Sequence, residues 1–71
     1  MALQDEVVKY LRTQKSQGKT CVYRHTIFAV MCYLGHIPNT PKALPRGVLV
    51  EAAKACGGSY IVRKRRSSVV F

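Results

Sequence analysis

Two adjacent glycines, Gly57 and Gly58, divide this chain into parts of different character. Ahead of them, apolar residues recur three and four apart, the spacing that lines one face of a helix. Behind them stands SYIVRKRRSSVVF, rich in β-branched and aromatic side chains that fit a pleated strand better than a helix. A chain of 71 residues has room for one small core, so both parts must share it. The expected fold is therefore α+β, a single domain over residues 1–71 with three helices and a C-terminal β-hairpin.

The helical part resolves into three segments. Over residues 3–14, Leu3, Val7, Tyr10 and Leu11 form one apolar stripe, with Asp5 and Glu6 in the first turn. Ser16-Gln17-Gly18-Lys19 breaks the pattern. Thr20 can then cap a second helix running to about Leu34, stopped by Gly35 and Pro38. This segment is apolar nearly all round, which predicts the central element of the core. Pro38, Pro41 and Pro45 make the next stretch a loop or irregular turn. Pro45 opens a third helix to about Cys56, with Val48, Leu49, Ala52, Ala53 and Cys56 facing inward. Arg46, Val50 and Lys54 share another face.

Composition is globular, with 48% hydrophobic and 21% charged residues. The charge balance is the unusual part: twelve Lys and Arg against three acids, net +9. Such an excess favours a polyanionic partner, nucleic acid or an anionic membrane surface. The N-terminus has no early apolar run, so no signal peptide is expected and the location predicted is cytoplasmic or nuclear. Thr26 to Gly35, the longest apolar stretch, is about half of what a membrane-spanning helix needs. Three cysteines with no CxxC speak against a secreted disulfide framework.

Three helices followed by a basic hairpin, ending GGSYIVRKRRSSVVF, resemble the winged helix-turn-helix superfamily over residues 3–71. The resemblance implies a DNA-binding protein, a transcription regulator or architectural nucleoprotein. In this reading Ile61, Val62, Val69 and Val70 anchor the hairpin, and Arg63, Lys64, Arg65 and Arg66 form a wing tip that reaches phosphates or a minor groove. The third helix offers Arg46, Val50 and Lys54 to the major groove, with Lys42 in the preceding loop. Arg46 is the candidate base reader, since a guanidinium can bond a guanine edge through two parallel hydrogen bonds. With so few such side chains, phosphate grip should outweigh sequence reading.

The same features have plainer readings. A run of four cations can be a solvated surface, a guard against edge-strand aggregation or a nuclear localisation signal. An RNA-binding or ribosomal-type protein would use the same basic surface, and a protein-interaction module could carry the charge for solubility alone. Tyr23 and Tyr33 fall within the apolar second segment, which argues against base stacking and hence against RNA.

Two motifs fail on inspection. Gly18-Lys19-Thr20 imitates the end of a phosphate-binding P-loop, but Thr13 stands where that loop needs its first glycine. Cys21, His25, Cys32 and His36 are zinc-type ligands. On one continuous helix, however, the outer two would lie about 22 Å apart, too far for one ion. No metal or cofactor is expected, and with two of its three acids adjacent the chain lacks a general acid/base pair. The expectation is a binding protein, not an enzyme.

Overall fold

A computed structural model describes residues 2–64 and 66–71. Among these residues three helices and a three-stranded antiparallel sheet follow in the order α1 (Leu3–Ser16), β1 (Cys21–Tyr23), α2 (Arg24–Tyr33), α3 (Arg46–Ala55), β2 (Ser59–Val62) and β3 (Ser67–Val70). A short 3-10 turn, Pro41–Ala43, interrupts the loop between α2 and α3. No helix among the described residues is long and apolar enough to cross a membrane.

The predicted stripe on α1 is real: Val7 and Leu11 are fully buried, flanked by half-buried Leu3 and Tyr10. Burial pushes the Tyr10 phenol above its ordinary pKa, because the phenolate would lose hydration. The inward set on α3 also holds, with Leu49, Ala52, Ala53 and Cys56 buried and Val48 half-buried. These two helices pack against each other more extensively than any other pair of elements. Lys15 reinforces the packing by donating from Nζ to the Cys56 carbonyl, 3.0 Å away at the end of α3.

The second segment departs from expectation. Residues 21–23 form a strand instead of a first helical turn, and α2 begins only at Arg24, with Tyr23 at the N-cap and no side-chain cap from Thr20. The cause is non-local. β3 lies in the centre of the sheet, whose order is β1-β3-β2, and Cys21, Val22 and Tyr23 pair with Val70, Val69 and Ser68. Phe71 N–H extends this ladder to the Thr20 carbonyl at 3.0 Å. Nor is α2 apolar all round in its surroundings: it buries Ile27 and Met31 while Tyr33 is 89% exposed and Leu34 54%. Ten residues on the surface of so small a domain can bury only one side. The core is shared among α1, α2, α3 and the sheet.

The hairpin forms as expected, with Tyr60 opposite Val69 and Val62 opposite Ser67. Its anchors differ from those predicted. Strand alternation turns Val22, Val69 and Tyr60 toward the helices as one row. Val69 is fully buried, whereas Val62 and Val70 are exposed and Ile61 is half-buried. The loop before α3 is tied back at both ends. His36 Nε2 lies 3.3 Å from Glu6 Oε2 on α1, and Leu44 is buried in the core.

Candidate nucleic-acid interface

The hairpin expected to serve as a wing is built by two four-residue strands that end at Val62 and resume at Ser67. Arg63 N–H donates to the Arg66 carbonyl at 3.2 Å across the connection. Arg63, Lys64 and Arg66 are all exposed at this tip, and Arg65 lies outside the described residues.

Strand register decides what the wing faces. Because Tyr23 pairs with Ser68, the start of α2 comes directly alongside the base of the wing. Arg24, His25, Arg63, Lys64, Arg66 and Ser67 then line one open cleft. A second hollow shares Arg24 and His25 and continues to Phe28 and Asn39, carrying the surface from α2 to the loop before α3. Two of the arginines are tied from behind. One Nη of Arg24 donates to the Leu44 carbonyl at 3.1 Å. The Arg66 guanidinium sits 5.4 Å from the centre of the Tyr23 ring, within cation–π range. Tyr23 in turn stacks on His25, with centroids 5.9 Å apart and an interplanar angle of 14°.

The charge here is uncompensated. None of the three acids lines either hollow. Among the described residues the carboxylates in contact with a basic side chain are Glu6, beside His36, and Glu51, 3.8 Å from Lys54. Among those residues, Arg24, Arg63, Lys64 and Arg66 therefore have no carboxylate partner, and their fields add in the same direction.

The other predicted cations are placed less favourably. Arg46 and Lys54 are exposed on α3 as expected, but Lys54 is shared with Glu51 and Val50 is half-buried. Lys42 is exposed in the 3-10 turn. None of these three cations lines the wing cleft. Sequence reading missed Arg24 and His25, which line it, and Tyr23, which braces it. The local signal was slight: Val22 and Tyr23 suit a strand, but three residues do not show what they pair with.

The tyrosines also need correcting. Tyr23 is on a strand and 39% exposed, and Tyr33 is almost fully exposed, so neither is withheld from a partner inside the core. As for the zinc-type residues, Cys21 lies on β1, His25 and Cys32 on α2, and His36 beyond it, so they do not share one helix. The described residues bring no three potential metal ligands together, and all three thiols are free. Chelation is expected to leave the thermal midpoint unmoved, and stoichiometric zinc in protein purified without chelator would contradict that. Compared with protein-family models, curated proteins and solved structures, the chain matches none.

Proposed function

We propose that this chain is a small winged-helix-like DNA-binding protein that grips duplex mainly through its phosphates, as a transcription regulator or architectural nucleoprotein. One observation carries the reading: Arg24, Arg63, Lys64 and Arg66, from two separate elements, converge on a single cleft that no acid lines. A merely soluble basic surface gains nothing from such convergence, because like charges repel. A polyanion removes the repulsion and releases counterions as it binds. Support comes also from the order of elements, three helices with the basic hairpin after the third.

The grip and the reading are divided between elements. The wing and the start of α2 supply fixed positive charge for phosphates, which carry no sequence information. Arg46 on the exposed face of α3 is the side chain suited to a guanine edge. Four to six neutralised phosphates give log K a slope of about −4 to −5 against log salt. Titration of a labelled duplex at several salt concentrations measures that slope, and an affinity indifferent to salt would sink the proposal.

A second reading, RNA binding, is favoured by the exposed Tyr33 and by Tyr23 beside the cleft, since aromatic faces stack on unpaired bases. Competition between duplex DNA and structured RNA in one gel series separates the two.

A further inference from the structure

We propose that the cleft between the wing and α2 is a discrete oxyanion site, able to take a phosphate-bearing group even where no duplex presents it. The site shares its surface with the duplex reading but stands or falls separately.

The lining chemistry is one-sided. Every charged group in it is a cation, and Arg24, Arg63, Lys64, Arg66 and the Ser67 hydroxyl all present hydrogen-bond donors. A phosphate's oxygens are acceptors that such a lining can satisfy from several directions. A neutral ligand or a cation would leave the mutual repulsion of these groups in place.

Position matters as much as charge. In a solvated charge run each long side chain is free, and a small anion would have to order all of them on binding. Here Arg24 is held by the Leu44 carbonyl, using one of its five donors and leaving the rest of the fork available. Arg66 is held over Tyr23, and Tyr23 is braced by His25. Two guanidinium groups are therefore set in place before any ligand arrives. Tyr23 is a positioning residue in this scheme.

Size narrows the ligand. The cleft measures about 230 Å³, below the roughly 300–1,000 Å³ of sites that enclose drug-sized molecules. It suits a phosphate group or a short linked run of them, and not an enclosed nucleoside. The group can come from a nucleic-acid backbone or from a free phosphorylated molecule.

The test uses inorganic tripolyphosphate, titrated calorimetrically into the full chain at about 0.1 M salt, where exposed charges are largely screened beyond about 10 Å. Saturable one-to-one binding is expected, with ring resonances of Tyr23 and His25 shifting in step. Arg24→Gln and Arg66→Gln should each weaken binding about tenfold, the effect of removing one charge-assisted hydrogen bond. Lys9→Gln and Arg12→Gln remove the same charge from exposed positions on α1 outside the cleft. They should change affinity less than about twofold. Tyr23→Phe keeps the ring and should keep the affinity, whereas Tyr23→Val keeps a strand-forming residue and should weaken binding about threefold.

Equal effects from cleft and α1 variants would reduce the binding to net charge and overturn the site. So would absence of saturable binding, and duplex binding without tripolyphosphate binding would do so while leaving the DNA reading intact. Tripolyphosphate binding without duplex binding supports the site and removes the DNA reading. Displacement of bound duplex by tripolyphosphate also supports it, and assigns the occupant to the nucleic-acid backbone.

Discussion

Replacing Arg63, Lys64, Arg65 and Arg66 together by alanine is expected to weaken binding to every duplex alike, by about a hundredfold or more at moderate salt. The salt slope should flatten by about one unit for each phosphate the wing no longer neutralises. The fold should survive. Arg63, Lys64 and Arg66 are exposed at the tip, and the hairpin is held from its other end by Val69 and Tyr60 in the row with Val22. Surface substitutions of this kind usually stay within about half a kcal/mol each. Removing the mutual repulsion of the run acts in the stabilising direction. Arg46→Ala provides the contrast. It should leave the slope nearly intact and erase whatever base preference exists, at a cost of about 1–3 kcal/mol on the preferred site. Salt titrations of both variants on two unrelated duplexes separate grip from reading. If the quadruple variant bound as tightly as the parent, with the same slope, the wing would not be the grip.

That contrast depends on geometry only partly legible in the chain. Local signals held where one helix face met one core: the Leu3, Val7, Leu11 stripe and the Leu49, Ala52, Ala53, Cys56 set are buried or half-buried as their spacing predicts. Gly57, at φ +75°, ends the third helix as expected. The hairpin was legible from its β-branched residues. What failed was the stretch from Cys21 to Tyr23, whose strand has no local cause. Three residues carry too little pattern to reveal a strand, and these take that form because β3 offers its open edge. The error spread to the site. With Tyr23 expected in a helix, nothing in the sequence connects Arg24 and His25 to a hairpin some forty residues later, and the expected cations are those of α3, the wing and Lys42 in the loop before α3. Val70 falls on the outer face for a related reason, whereas Val62 shares the face of Tyr60 and is exposed because it ends the strand beside the tip. Alternation along a strand is visible in sequence, but which phase faces the helices is set by the register with β1.

The sheet also passes close to the backbone at Gly58, so Gly58→Ala is expected to destabilise the domain. A Cβ built at Gly58 would collide with the Val70 carbonyl oxygen and crowd the backbone of Phe71. Both belong to the C-terminal end of β3, where Phe71 N–H bonds Thr20 and Val70 pairs with Cys21 and Ser59. The obstacle is main chain held by partners on both sides, so it cannot swing away as the end of a long side chain would. Overpacking of this kind costs about 1–3 kcal/mol, occasionally more. A domain of this size has about 4–11 kcal/mol in all, on the usual range per residue. The thermal midpoint should therefore fall by roughly 4–8 °C for each kcal/mol of destabilisation. Gly47→Ala is the matched control. Gly47 lies within α3, where an added Cβ meets nothing within 4 Å. There the substitution should stabilise by up to about 1 kcal/mol, since alanine costs less helix entropy than glycine. Denaturant titrations of the two variants should thus move in opposite directions from the parent. A Gly58→Ala variant as stable as the parent would mean that β3 does not pass this close to the end of α3. The pairing that brings Arg66 beside Arg24 would then rest at that end on the strand ladder and the Phe71–Thr20 hydrogen bond alone.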